Sequence, residues 1–269
     1  MRVNGEVADS ISIRDRGFLY GDGVFRTMLA RQGKLRHWPS HLKKLQQDCQ
    51  ALGINCPAPE QLVVELESLL LTHSQGVIKL IVTRGQGGRG YAPPVAQLPH
   101  HVWDVFPLPE YPETWLQDGI KLSLCDIRLS HQPRLAGIKH LNRLENVLAA
   151  AEWRATDIAE GLLLDVEGNL IEGTRSNLFF VRSGRLYTPD LSRCGVAGVQ
   201  RERVLAWAVS RGISVEIGNF PLEALVQADE AFMVNSVIGL WPVQSFQRRR
   251  WNNFPLALEI AGYLAGAHE

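Results

Sequence analysis

Apolar residues recur along this chain with two periods, and the switches between them mark its elements. MRVNGEVADS alternates weakly and turns at Asn4-Gly5, which predicts two short strands. RDRGFLYGDGVFRTMLARQGKLRHW reads as two apolar β-like stretches parted by Gly33, and Asp22 between Gly21 and Gly23 forces a tight backbone path before Val24. From Ser40 to Leu52 the spacing of Leu42, Leu45 and Leu52 becomes helical, with Ser40 as the expected N-cap. A second helix is predicted from Pro59 to His73, followed by VIKLIVTRG as a buried strand and HVWDVFPL as another.

PEYPETW then interrupts the pattern with prolines and polar residues and places a boundary: an N-terminal α/β domain over 1–108, a linker over 109–116 and a C-terminal domain over 117–269. The second half opens with a strand, IKLSLCDIRL, and the loop SHQPRLAG. Beyond Lys139, Leu141, Leu144, Val147 and Leu148 recur at helical spacing. GLLLDVEGNLIEG predicts a hairpin around Glu167-Gly168-Asn169, and SNLFFV a strand. Gly195 and Gly198 form a turn before a helix from Val199 to Arg211, and a last strand, EAFMVN, ends at Asn235-Ser236.

Composition narrows the function classes. With 269 residues, 45% of them hydrophobic, the chain can build about two domains, and 28 basic residues balance 28 acidic ones, which argues against a polyanionic partner or a membrane surface. Arg248, Arg249 and Arg250 are too isolated for a nucleic-acid stripe and read as a solvated turn. No apolar run approaches ~20 residues and the N-terminus lacks a signal-peptide core, so a soluble, cytoplasmic protein is expected. Cys49, Cys56, Cys125 and Cys194 form no CxxC pair and are expected to be reduced and half-buried. His37 and His41 flank Trp38-Pro39, where a regular helix is not expected, and His100-His101 point to opposite faces of a strand, so neither pair suits a metal.

Lys139 sits on a short leash between a loop and a helix. It is either an ordinary exposed lysine or, if desolvated, an amine able to form a Schiff base with an aldehyde. Glu172 lies in an apolar β context, where a carboxylate needs a cationic partner: Arg175, three residues on, or a protonated ring nitrogen. The glycine-led helix start at Val199 offers free amides to a phosphate, and Ser236 offers a hydroxyl and turn amides. GQGGRGY over 85–91 resembles a nucleotide loop only superficially, because Ala92-Pro93-Pro94 occupy the place of a helix start. It reads as a flexible loop bringing Arg89 and Tyr91 to an anionic ligand. A Schiff-base lysine, a carboxylate for a ring nitrogen and two phosphate-binding turns are the parts needed for pyridoxal 5'-phosphate (PLP).

YGDGVFRT, TRGQGGRGY, AGIKHLNRLENVLA, EGTRSNLF, GVAGVQRERV and ADEAFMVNS, in this order, resemble the 4-amino-4-deoxychorismate lyase family, a branch of the fold-type IV PLP enzymes. That group also holds the D-amino acid and branched-chain aminotransferases. The resemblance spans essentially the whole chain and implies a two-domain, D-amino acid aminotransferase-like α/β (α+β) architecture and a homodimer. It implies Lys139 as the Schiff-base lysine, Glu172 as the ring-nitrogen partner, and Gly198, Val199, Gln200, Asn235 and Ser236 around the phosphate. Lys44 in HLKKL stands where the family has an arginine, so it neutralises phosphate without a planar bidentate grip. Thr27, Arg89, Tyr91 and Arg143 match substrate-facing positions.

The implied reaction converts 4-amino-4-deoxychorismate to 4-aminobenzoate, a folate precursor, and pyruvate, with Lys139 as the base and Thr27 assisting proton transfer. Two other readings remain: an aminotransferase on the same fold, which would need a trap for an α-carboxylate, and a non-catalytic PLP-binding protein.

Overall fold

The computed structural model describes residues 1–155 and 157–266, so the last three positions of the expected C-terminal domain lie outside it. The chain separates into two compact units, Met1–Glu110 with Ile138–Asn142, and Tyr111–Gly137 with the chain from Arg143 onward.

The first unit contains β1 (Arg2–Val3), β2 (Glu6–Val7), α1 (Arg16–Tyr20), β3 (Gly23–Arg31), β4 (Lys34–Leu35), α2 (Trp38–Leu52), α3 (Pro59–Thr72), β5 (Gly76–Thr83) and β6 (His100–Phe106). Its strands form one antiparallel sheet in the order β2-β1-β6-β5-β3-β4. Asn4 and Gly5, both at positive φ (51° and 87°), make the two-residue turn between β1 and β2.

Two local expectations fail. Phe18-Leu19-Tyr20 was expected in a β-like stretch but forms α1, because Asp15 caps Gly17 N–H at 2.7 Å and Gly21 (φ 65°) ends the turn. The next helix, α2, starts at Trp38 rather than after Ser40. His37 is the N-cap at φ 58°, and Pro39 sits in the first turn, where its missing N–H removes no helical bond.

Strand alternation gives the first sheet two faces. Val24, Met28, Ala30, Ile78, Leu80, Val82 and Trp103 pack with Leu45, Cys49, Leu62, Leu66 and Leu69 of α2 and α3. Arg26 shares the buried register of β3 and is only 2% exposed. Phe25, Thr27, Lys79 and Ile81 occupy the alternate, half-buried positions. The two adjacent histidines of β6 diverge, His100 to Asp15 at 2.7 Å and His101 to Glu65 at 2.7 Å.

The second unit contains α4 (Thr114–Gln117), β7 (Ile120–Leu129), α5 (Leu144–Ala151), β8 (Ile158–Asp165), β9 (Leu170–Gly173), β10 (Asn177–Arg182), β11 (Arg185–Pro189), α6 (Val199–Ser210), β12 (Val215–Gly218), α7 (Leu222–Val226), β13 (Glu230–Asn235), β14 (Gly239–Phe246), β15 (Arg249–Arg250) and α8 (Pro255–Ala265). Its mixed sheet runs β12-β11-β10-β13-β14-β7-β8-β9, and β9 also pairs with β10, which closes the strands from β10 to β9 into a circuit. Part of the expected linker packs into this unit: the rings of Tyr111 and Trp115 stand edge-on to Trp241, with centroids 4.7 and 4.8 Å away.

β7 and β8 run parallel, so their connection must cross over, and the Lys139 segment lies within that crossover. The helix after Lys139 starts only at Leu144. Its expected apolar face is not buried within this chain: Leu144, Val147 and Leu148 are 75%, 59% and 57% exposed.

Candidate active site

Residues 139–141 act as a short strand beside the start of β3. Phe25 N–H donates to the Lys139 carbonyl at 3.0 Å, Leu141 N–H donates to the Gly23 carbonyl at 3.0 Å, and His140 bridges Val24. Alternation puts His140 toward the buried face with Val24 and sends Lys139 to the face of Phe25, where its Nζ lies 4.5 Å from the ring centroid. Lys139 is half-buried, so it is neither a core residue nor a freely solvated lysine.

The Lys139 amide is fixed from α2, donating to Asp48 Oδ2 at 3.1 Å. Asp48 is 1% exposed and also ion-pairs with the Arg26 guanidinium and, through Oδ1, with the Lys44 ammonium. A buried carboxylate survives because two cations and a peptide N–H meet it. Burial pulls the Arg26 pKa down to about 10, which still leaves the guanidinium charged at neutral pH. Two cations thus meet one carboxylate next to the Lys139 backbone, with Lys44 the more exposed of the two.

The loop holding Arg89 and Tyr91 was expected to be flexible, yet its backbone is anchored. Arg16 donates to the carbonyls of Gly90, Tyr91 and Ala92 at 3.2, 2.8 and 3.3 Å, and the Tyr91 ring meets Tyr20 edge-on at 5.4 Å. Asp22 orients Arg16 through its Nε at 2.8 Å and also holds Arg84 at 2.8 Å. Burial pushes the Asp22 carboxyl up, but the Arg84 and Arg16 guanidiniums outweigh it and hold the pKa below the ordinary 3.8. The Arg89 side chain is exposed, and Thr27 lies on the Phe25 face of β3.

In the second unit Glu172 is 4% exposed, and its Oε2 accepts Val196 N–H at 2.8 Å. Arg175 turns away from it to Glu160, 3.8 Å away, and to the Ala159 carbonyl at 2.9 Å. Arg143 and Arg201 both feel the Glu172 charge: burial pulls each guanidinium down, and Glu172 is among the carboxylates that oppose the shift. Asn177, paired with Glu172 across β9 and β10, accepts Gly198 N–H at 3.2 Å and donates to the Val196 carbonyl at 2.8 Å. A Cβ at Gly198 would lie 2.4 Å from Asn177 Oδ1, so only glycine fits this cradle.

No side chain caps α6, whose first helical bond runs from Glu202 N–H to the Gly198 carbonyl. The amides of its first turn, at Val199, Gln200 and Arg201, thus point out of the helix end as anion donors. The Gln200 side-chain carbonyl accepts from Arg203 at 2.9 Å. Asn235 holds its own turn, accepting from Val237 and Ile238 at 2.8 and 2.9 Å and donating to the Arg175 carbonyl at 3.1 Å. Ser236 is the half-buried hydroxyl which that turn presents.

The sites named from sequence thus fall into two sets, Lys139, Lys44, Thr27, Arg89 and Tyr91 in the first unit and Glu172, Arg143, Gly198, Val199, Gln200, Asn235 and Ser236 in the second. The first set supplies a primary amine and a cation, and the second a buried carboxylate, a glycine cradle leading to uncapped amides, and a hydroxyl, each of them chemistry that suits a part of a phosphorylated aldehyde with a basic ring. Sequence reasoning missed Arg16, Arg26, Asp48, Lys79 and Asn177. The one available signal was charge inside apolar strand patterns, at Arg26 and Lys79.

The family model for class IV aminotransferases matches residues 23–246. The chain belongs to this family. Among class IV aminotransferase relatives, an aminodeoxychorismate lyase of Vibrio harveyi is 39% identical over 241 residues, 90% of this chain and 89% of the relative. The crystal structure of 4-amino-4-deoxychorismate lyase from Pseudomonas aeruginosa is 44% identical, with a TM-score of 0.94 over 98% of this chain and 97% of that one. A hypothetical aminotransferase of Mycobacterium tuberculosis, solved in a PLP-bound form, shares the fold at 20% identity and a TM-score of 0.80, over 96% of this chain and 92% of that one. The expected fold-type IV architecture is therefore the observed one.

Two outcomes follow from these charges. Asp48→Asn keeps an acceptor for the Lys139 amide but takes the Asp48 charge from the buried Arg26, and should lower the unfolding free energy in urea by about 3–5 kcal/mol. Because the folded Asp22 pKa lies below its ordinary 3.8, its stabilisation is present above that value and is lost as the pH falls from there through the lower folded pKa. Asp22→Asn should accordingly flatten the acid limb of a stability profile measured between about pH 2 and pH 5.

Proposed function

We propose that this class IV aminotransferase relative is a PLP-dependent lyase, cytoplasmic and homodimeric, that converts 4-amino-4-deoxychorismate to 4-aminobenzoate and pyruvate in folate synthesis. The observation that carries the reading is likeness to two lyases, at 39% and 44% identity, over nine-tenths or more of the chain. Fold alone would leave the activity open, since aminotransferases share it.

Lys139 would hold the cofactor's aldehyde carbon, Glu172 its ring nitrogen, and Lys44, the first-turn amides at Val199 and Gln200, and Ser236 its phosphate. When bound, PLP supplies an electron sink for charge developing on the substrate carbon. Lys139 Nζ removes the proton from the ring carbon that bears the amine, and its anchored backbone confines the search to the side-chain stem. Glu172, fixed by Val196 N–H, keeps a negative charge where a protonated ring nitrogen is wanted. Thr27 Oγ1 hands a proton to the enolpyruvyl methylene as the carbon–oxygen bond breaks. One proton leaves the ring and one joins the departing group, so neither water nor a second substrate is consumed. Arg89, Tyr91 and Arg143 complete the proposed substrate contacts.

The purified protein, incubated with 4-amino-4-deoxychorismate and no keto acid, should form 4-aminobenzoate and pyruvate in equal amounts, and Lys139→Ala should reduce turnover by at least ~10³-fold. Full turnover by that variant would sink the assignment. Keto-acid-dependent amino transfer from D-alanine or a branched-chain amino acid, without 4-aminobenzoate, would establish the aminotransferase reading that the family match also supports.

The exposed apolar stripe of α5 supports the dimer. Leu148→Glu is expected to shift the protein from dimer to monomer in light scattering coupled to size-exclusion chromatography; an unchanged mass would remove α5 from the interface.

A further inference from the structure

Glu160 on β8 has no exposed surface, and neither set of site residues includes it. Its Oε1 accepts the N–H groups of Gly161 and Thr174 at 3.0 and 3.1 Å and the Thr174 hydroxyl, and its Oε2 accepts the Ser176 hydroxyl at 2.7 Å. Among the described residues its one ion-pair partner is Arg175, 3.8 Å away with a side chain that is 52% exposed. Four oriented donors, more than any buried counter-charge, therefore hold this carboxylate in the core, and an acceptor-only group is what four donors require. Gly173 lets the chain come this close, since a Cβ there would lie 2.5 Å from Ser176 Oγ and 3.0 Å from the Glu160 carboxyl carbon.

The bend over 174–176, between β9 and β10, is what Glu160 grips. On its other side the Thr174 carbonyl accepts Asn146 Nδ2 of α5 at 3.0 Å, and the Arg175 carbonyl accepts Asn235 Nδ2 at 3.1 Å. Asn235 also accepts the N–H groups of Val237 and Ile238, so its side chain ties the Ser236 turn to the bend. Ser176 leads directly into Asn177, which accepts Gly198 N–H at the start of α6. Glu160 thus stands one bend behind both the Ser236 hydroxyl and the α6 amides. Glu172 is fixed separately, by its register opposite Leu163 and by Val196 N–H.

Resting on the PLP reading, we propose that Glu160 is a positioning residue for the cofactor's phosphate. It sets the Ser236 hydroxyl through the Arg175 carbonyl and Asn235, and the α6 amides through Asn177. Two donors that must meet one anion need a common rigid support. Glu160→Gln would turn an NH2 toward groups that can only donate to it, so the bend must move a donor away, and the carbonyl that holds Asn235 moves with it. The aldehyde and ring of the cofactor fall to Lys139 and Glu172, so the loss should be confined to the phosphate.

Equilibrium titration of the cofactor-free full chain with PLP and with pyridoxal, which lacks the phosphate, tests the assignment through the visible absorbance of the bound aldehyde. Glu160→Gln should raise the Kd for PLP roughly 10- to 100-fold, the worth of one hydrogen bond to a charged group, and leave that for pyridoxal within about threefold. Ser176→Ala removes one donor and leaves the carboxylate its others; it should raise the Kd for PLP about three- to tenfold with pyridoxal unmoved, and it carries the test if the glutamine variant does not fold. Combined with Ser236→Ala, Glu160→Gln should cost less than the sum of the two single changes, because both act on one donor. Equal weakening of PLP and pyridoxal, additive losses or unchanged PLP binding would each overturn the Glu160 assignment while the wild type still binds PLP and the cofactor reading stands. A wild type that binds neither compound removes that reading, and this assignment with it.

Discussion

The buried carboxylate of Asp48 is the constraint on which the Lys139 cluster of the first unit depends. It meets Arg26 from β3, Lys44 from its own helix and the amide of Lys139 from a chain segment some ninety residues on. A carboxylate at 1% exposure is tolerated only when its partners are all present. The arrangement is therefore close to all-or-none: α2, β3 and the Lys139 segment are in register together or the charge is stranded. The same group that stabilises the fold thereby fixes the backbone of Lys139 beside the start of β3.

The Glu172 cluster of the second unit has a counterpart in the pairing of β9 with β10. That single register places Glu172 opposite Asn177. Glu172 then takes the Val196 amide, while Asn177 takes the Val196 carbonyl and the Gly198 amide. One strand pairing thus aligns an acid and a helix start that lie far apart in sequence. Both clusters follow the same logic, in which rigid strands carry the ionisable side chains and polar contacts fix their orientation.

Regular elements were legible wherever apolar residues kept a clean period, as in Gly76–Thr83, Asn177–Arg182 and Val199–Ser210. Where caps overrule apolar content, reading failed: Phe18-Leu19-Tyr20 is helical because Asp15 and Gly21 bracket it. Lys139 and Glu172 were legible as lone ionisable groups in telling contexts. Asp48 was not, because a polar residue on an amphipathic helix reads as solvent-facing, and only the distant Arg26 makes it a buried one. Arg26 and Lys79 look alike in sequence, each a cation within an apolar strand, yet alternation buries one against α2 and turns the other to the Phe25 face. Leu144, Val147 and Leu148 show the converse, since helical spacing announces a sticky face without saying what covers it.

Ile138, 5% exposed, belongs to the hydrophobic core of the first unit although the rest of that core is complete by residue 105. During synthesis the N-terminal sheet therefore emerges from the ribosome missing both a core side chain and the strand that flanks the start of β3. That edge stays open while more than thirty further residues, including β7, are translated. The chain must hold a nearly finished domain in waiting, and the segment that finally closes it is the one that delivers the reactive lysine. Acquisition of the amine and completion of the N-terminal fold are thus one event in the life of the nascent protein.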